Sequence, residues 1–118
     1  MGSRILFTFR HAPYGTSIAR DGLDALLAAA VYDQQIAVIF LGEGVWQLAK
    51  DQAVAADLKN HARMLSALPV YGVDKIFVHE PSLHLRGLAD RELLLNPTRL
   101  SDAQTRDLFG SHNHLLSF

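Results

Sequence analysis

The run Pro13-Tyr14-Gly15-Thr16-Ser17 follows a strand-like apolar stretch and precedes an amphipathic one, so it forms the loop of a β-loop-α unit. Backbone N–H groups of Gly15, Thr16 and Ser17 are expected at the N-terminus of the helix, where an anion can be held. The competing reading is a tight turn with a cap, since the loop has one glycine and lacks P-loop spacing. A second group, His79-Glu80-Pro81-Ser82, also follows a strand. Histidine titrates near neutrality and suits acid–base work. Neighbouring residues at a strand end point to opposite sides, however, so His79 and Glu80 are not expected to act together. Arg86 stands before Gly87, where a helix C-cap is the expected job. Trp46, after the break Gly42-Glu43-Gly44, is either an interface anchor or a core residue. His112 and His114 share a face if they lie on a strand, but two ligands are too few for a closed zinc site. His61 falls mid-helix, as a satisfied, partly buried side chain. No Ser/His/Asp set or paired carboxylates stand out. The sequence therefore predicts no catalytic residue, no metal and no cofactor. The candidate interface or pocket residues are Pro13, Tyr14, Gly15, Thr16, Trp46, His79 and Arg86.

Composition narrows the function classes. The chain has 118 residues, enough for one domain with a core that needs no staples. Apolar residues make up 49% and charged residues 19%, an ordinary globular balance with a small apolar surplus that suits burial in an oligomer. Net charge is −1, and the Lys and Arg residues are scattered, which argues against a strong direct grip on nucleic acid. There is no cysteine, so neither a disulfide framework nor thiolate chemistry is available. No apolar run approaches the roughly 18 residues of a membrane span, and no signal peptide is apparent. A cytoplasmic location is expected.

The elements that must position these residues alternate between strand and helix. Arg4–Phe9 reads as a strand buried on both faces. Thr16 or Ser17 is the expected N-cap of a helix reaching about Tyr32, with Leu23, Leu26, Leu27, Ala30 and Val31 in one stripe. Gly22 inside that helix implies close packing against the sheet or a partner. Ile36–Leu41 is a second buried strand, and Val45–Leu48 a short helical turn. Ala53–Leu68 is helical, with Leu58, Ala62 and Leu65 on one face. Pro69–Asp74 is a loop, Lys75–Val78 a strand and Pro81–Arg86 a short helix. Leu93–Leu95 is a possible edge strand, Ser101 caps a last helix, and His112–Phe118 is strand-like. This alternation predicts an α/β domain of three layers with a mainly parallel sheet and right-handed crossovers.

The chain resembles the DsrE/DsrF/TusBCD family of sulfur-relay proteins, most closely its TusC (DsrF-like) branch. The resemblance rests on Ala12–Thr16, Arg20–Ala28, Gly44–Leu48, Leu68–Asp74 and Ser82–Leu88, in that order. It implies a single DsrE/DsrF-like domain over 1–118, flavodoxin-like with a five-stranded sheet. It also implies a relay in which persulfide passes through a hetero-oligomer with TusB-like and TusD-like subunits. That relay serves 2-thiolation of the tRNA wobble uridine or, in the Dsr system, sulfur oxidation. In the catalytic sister subunit the sulfur-carrying cysteine lies shortly before an Arg-Gly pair like Arg86-Gly87. His79–Pro81 occupies the corresponding region here. The implied role is that of a non-catalytic subunit. A small-ligand binder using loop 13–17, and a homo-oligomer outside any relay, are the alternatives.

Overall fold

The computed structural model describes residues 4–32, 35–50 and 56–118. Five parallel strands form one sheet: β1 (Arg4–Phe9), β2 (Gln35–Phe40), β3 (Lys75–His79), β4 (Thr98–Leu100) and β5 (His114–Ser117), in the order β4-β3-β2-β1-β5. The helices are α1 (Ile18–Ala30), α2 (Ala56–Ser66), α3 (Glu80–Leu85) and α4 (Asp102–Gly110). From β1 to β4 the chain steps steadily toward one edge. α4 then carries it back to the other edge, where β5 lies beside β1. The direction of winding thus reverses at β1, the kind of point where open α/β sheets form crevices at the carboxyl ends of their strands.

Both faces of the sheet are covered, which explains why β1 and β2 are continuously apolar. Alternation sends Phe7, Phe9, Val38, Phe40, Ile76 and Val78 to one side, where they meet Leu23 and Leu26 of α1, Leu65 of α2 and Leu83 of α3. Leu6, Ala37 and Ile39 face the other side and pack with Leu100, Leu108 and Phe109. The first side carries the larger core, anchored by Phe9 stacked on Phe40 with centroids 5.2 Å apart. The result is the expected three-layer α/β architecture with a parallel five-stranded sheet.

Two glycines are required by close approach. A Cβ at Gly22 would stand 2.5 Å from the Phe9 ring and 2.6 Å from Phe118, so α1 presses onto the sheet there as its sequence predicts. At Gly44 a Cβ would stand 1.9 Å from the Phe9 carbonyl oxygen, a backbone atom with little freedom to yield.

Several boundaries differ from expectation. α1 ends at Ala30, and Val31 and Tyr32 form an exposed turn instead of extending the stripe. α2 is described from Ala56; the predicted start at Ala53 lies outside the described residues, and Leu68 belongs not to α2 but to a 3-10 turn, Leu68–Tyr71. Pro69 lies in the first turn of that segment, where its missing N–H is tolerated. Pro81 likewise falls within the first turn of α3, which therefore begins at Glu80, before Ser82. The edge strand is Thr98–Leu100, not Leu93–Leu95. Leu95 and Asn96 have φ of 69° and 46°, left-handed conformations that break an extended path. Leu93 makes only an isolated bridge with Ala49. β5 starts at His114, so His112 and His114 do not share a strand; His112 Nδ1 lies 2.9 Å from the Leu108 carbonyl.

Candidate functional site

Two polar assemblies stand where the strands end, and each is organised by a histidine. The first lies between the β1–α1 loop and α2. Gly15 has φ of 89°, a left-handed turn that lets the loop fold back before the helix starts. Ser17 is the N-cap residue, but its hydroxyl bonds Asp21 Oδ2 at 3.2 Å instead of a backbone N–H. Thr16 Oγ1 takes the Ile18 N–H at 3.3 Å. Both predicted cap residues are thus engaged, with exchanged roles. The loop and α2 flank a half-open hollow of about 580 Å³, lined by Pro13, Tyr14, Gly15, Thr16, Ser17 and Arg20 on one side and Asp57, Leu58 and His61 on the other.

His61 is only 5% exposed. Its Nε2 lies 2.8 Å from Gln47 Oε1, and Gln47 Nε2 donates to the His11 carbonyl at 2.9 Å. The second bond fixes the Gln47 amide: its oxygen faces the imidazole, so His61 Nε2 carries the hydrogen and Nδ1 keeps its lone pair. Burial, with a smaller contribution from the Arg20 charge, pushes the His61 pKa below 6.5, while Asp24 opposes the shift. His61 is therefore neutral at pH 7.

The second assembly ties β3, α3, α4 and the segment after β2 together. His79 Nδ1 lies 2.6 Å from Ser82 Oγ, and Nε2 lies 2.5 Å from Asp102 Oδ1. Gly42 N–H donates to Ser82 Oγ at 2.8 Å. An ionised Asp102 can only accept, which assigns the neutral ring's hydrogen to Nε2 and makes the Ser82 hydroxyl the donor to Nδ1. The chain of bonds then runs Gly42 N–H to Ser82, Ser82 to His79, and His79 to Asp102, with every partner satisfied. Arg86 extends it, donating to Glu43 Oε2 at 2.7 Å and to the Ser82 carbonyl at 3.1 Å. α4 starts where Asp102 is needed because Ser101 and Gln104 form a capping box, as expected from Ser101.

A Ser/His/Asp set therefore does exist, contrary to the sequence reading, with Asp102 contributed from 23 residues away. Its chemistry is nonetheless that of a clamp. Ser82 is 5% exposed, and its oxygen is held by the Gly42 N–H. A serine nucleophile must present that atom to a substrate. Glu80 turns away from His79, as expected, toward His84 at 3.5 Å and Arg99 at 3.9 Å.

The predicted site residues divide between these assemblies. Pro13, Tyr14, Gly15 and Thr16 line the cavity. His79 and Arg86 meet through Ser82. Arg86 itself is the α3 C-cap residue, and Gly87 takes the left-handed conformation beyond it, with φ of 69°. Trp46 is half-buried against the larger core. Gln47 and Asp102 were not singled out from sequence, His61 was read there only as a satisfied helix residue, and Ser82 only as a member of the group that starts at His79. Only Ser82 carried a local signal, three residues after His79 across a strand-to-helix junction. Among the described residues no group of three His, Cys, Asp or Glu side chains could hold a metal, and no helix is long and apolar enough to cross a membrane.

Comparison with known proteins places this architecture. The chain is 40% identical over 117 residues to a protein TusC homolog of Vibrio parahaemolyticus, covering 98% of this chain and 99% of that one. It is 33% identical to protein TusC of Buchnera aphidicola subsp. Baizongia pistaciae, covering 98% of both. The crystal structure of the ychN protein from E. coli superposes over the whole of both chains with a TM-score of 0.81 at 16% identity, a likeness of fold. The DsrE/DsrF-like family profile matches residues 3–118. By fold, by near full-length similarity and by this match, the chain belongs to the DsrE/DsrF-like family.

Proposed function

We propose that this chain is a non-catalytic subunit of a TusBCD-type sulfur relay, assembled with TusB-like and TusD-like partners in the cytoplasm and supporting 2-thiolation of the tRNA wobble uridine. The observation that carries this reading is chemical. The chain is similar to TusC proteins over nearly its full length yet contains no cysteine, so it has no thiolate on which a persulfide could form. The persulfide in this reading is carried by a partner, and this chain contributes shape and contact surface. The β3–α3 junction supports such a role. His79 is held there between Ser82 and Asp102, which gives a rigid surface and no reactive atom. Exposed apolar residues are available for contact, with Leu115 51% exposed and Leu116 42% exposed on the edge strand β5.

Light scattering of the purified chain mixed with TusB-like and TusD-like chains tests the assembly: a heteromeric mass is expected, and a lone monomer in every mixture would end the proposal. The process served is read from a strain lacking this chain. Loss of 2-thiouridine from its tRNA is expected. Unchanged tRNA with impaired sulfur oxidation would move the reading to a DsrF-like complex.

A further inference from the structure

The two edges of the sheet are finished differently. β4, at one edge, is three residues long, carries Arg99 at its centre and follows Pro97 and the left-handed Leu95 and Asn96. Short length, charge and a neighbouring proline are devices that keep an exposed edge from pairing with another chain. β5, at the other edge, is His114-Leu115-Leu116-Ser117, with no lysine, carboxylate or proline and with every residue exposed. Its pairing with β1 fixes which backbone groups are free. Phe118 N–H donates to the Thr8 carbonyl and the Phe118 carbonyl accepts from Arg10 N–H, so the main chain of Phe118 faces β1. Alternation turns Leu116 and His114 toward β1 as well, and turns the N–H and C=O groups of Leu115 and Ser117 outward. Among the described residues no strand pairs with that outer side. Leu115 lies level with Leu6 on the α4 face and Leu116 with Phe7 on the α1 face, so the open edge is apolar on both sides.

An open edge of this kind takes another extended strand through main-chain bonds. The sequence of β5 fits a copy of itself. About a twofold axis at Leu116, antiparallel pairing sets Leu115 of one copy against Ser117 of the other, and the residues of each such pair exchange both of their N–H···O bonds. Every outward group of β5 is then matched. Leu116 faces Leu116 at the close, non-hydrogen-bonded position, with about 4.5 Å between Cα atoms. His114, the titratable side chain of β5, faces Phe118, so no charge is set against its like. The neighbouring register, centred on Leu115, needs the Asn113 N–H, which is spent on the Arg4 carbonyl. Head-to-tail pairing of β5 with β4 meets the guarded edge, which leaves β5 itself as the strand a second copy offers. We propose that β5 pairs antiparallel with β5 of a second copy of this chain, joining the two sheets into one. A strand of four residues spans about 13 Å, and a strip of that length buries less than the roughly 1,200 Å² of a stable interface. The pair is therefore a weak one, in exchange with single chains. The inference does not rest on the sulfur-relay reading, since it concerns the chain alone.

The test uses the intact chain alone, by sedimentation equilibrium from about 10 μM to about 1 mM, with amide hydrogen exchange at both ends of that range. The average mass is expected to climb with concentration toward that of two chains. The amides of Leu115 and Ser117 should gain protection as it climbs, while the amides of β4 stay as they were. Leu116→Lys sets two like charges directly across the twofold axis and should weaken association at least about tenfold. Ser117→Pro removes an outward N–H that β1 does not use, a change an edge strand tolerates, and should weaken it to a similar degree. Val70→Lys, at an exposed apolar position in the 3-10 turn after α2, should associate like the parent. The mass of a single chain at every concentration would overturn the proposal, including the case in which the β5 amides become protected only when a TusB-like or TusD-like chain is added. So would a dimer whose Leu115 and Ser117 amides stay open, a readout on the parent chain that needs no variant to fold. Association of both β5 variants like the parent, or its loss in Val70→Lys, would do the same.

Discussion

His61 and His79 stand at the same end of the sheet and have been given opposite surroundings. His79 lies at the end of β3 with both ring nitrogens bonded, between a buried hydroxyl and an exposed carboxylate. His61 is the more deeply buried of the two and has one bond, to Gln47. The first arrangement closes on itself and joins four segments of chain. The second joins α2 to the turn after β2 and stands at the wall of a half-open hollow. The chain has no cysteine, and its β3–α3 junction is a closed, hydrogen-bonded joint. The His61 pair lies on the other side of the sheet's carboxyl end, where α2 faces the loop after β1, the strand at which the winding of the sheet reverses.

The comparison breaks most readily at Ser82. Ser82→Ala removes the acceptor of Gly42 N–H and the donor to His79 Nδ1 at a buried position, leaving two groups unmatched. A loss of about 2–3 kcal/mol is expected, the cost of stranding buried polar groups. Urea unfolding measures it, and a loss below about 0.5 kcal/mol would show that the closed network does not hold this joint.

His61 comes next. His61→Leu keeps the buried volume but leaves Gln47 Oε1 without its donor, at a cost of about 1–2 kcal/mol at pH 7. The sharper readout is pH. The folded-state pKa lies below 6.5, so the unfolded chain binds the proton more readily. The stability that depends on a neutral His61 is fully present above pH 6.5 and declines as pH falls from there toward the folded-state pKa. The slope of unfolding free energy between pH 6.5 and 5 should therefore be shallower in His61→Leu than in the parent. Parallel slopes would mean that burial does not control this histidine.

Much of this was legible from residues, and the parts that were not share a cause. β1, β2, β3 and α4 follow from local pattern: continuous apolar runs, and Ser101 with Gln104 three residues later. The segment before α1 was recognisable as a tight loop because proline and glycine punctuate strongly. Asp102 was invisible because its meeting with His79 depends on where β4 delivers the chain, and nothing local marks that. Gln47 and His61 belong to different segments and meet only when the turn after β2 and α2 pack together. Edge pairing failed for a similar reason. Leu93–Leu95 is apolar enough for a strand, yet positive φ at Leu95 and Asn96 turns the chain before Thr98 can join β3. Periodicity reports burial, but it carries little information on which buried segments become neighbours.

Arg20→Ala is the smallest expected effect on stability, and for that reason it separates the two assemblies most cleanly. The Arg20–Asp24 pair is an i,i+4 contact on α1, with side chains 50% and 58% exposed. Such pairs contribute about 0.3–0.5 kcal/mol, screened further by salt. Arg20 also lowers the His61 pKa by its charge, so its removal relieves part of that shift and makes His61 slightly easier to protonate. Two small changes follow: a loss of a few tenths of a kcal/mol at pH 7 and a small upward movement of the His61 titration midpoint, seen in its ring ¹⁵N shifts. A His61 midpoint that stayed in place, or moved down, when Arg20 is removed would show that the Arg20 charge does not act on the buried imidazole, and the electrostatic side of the contrast would fail.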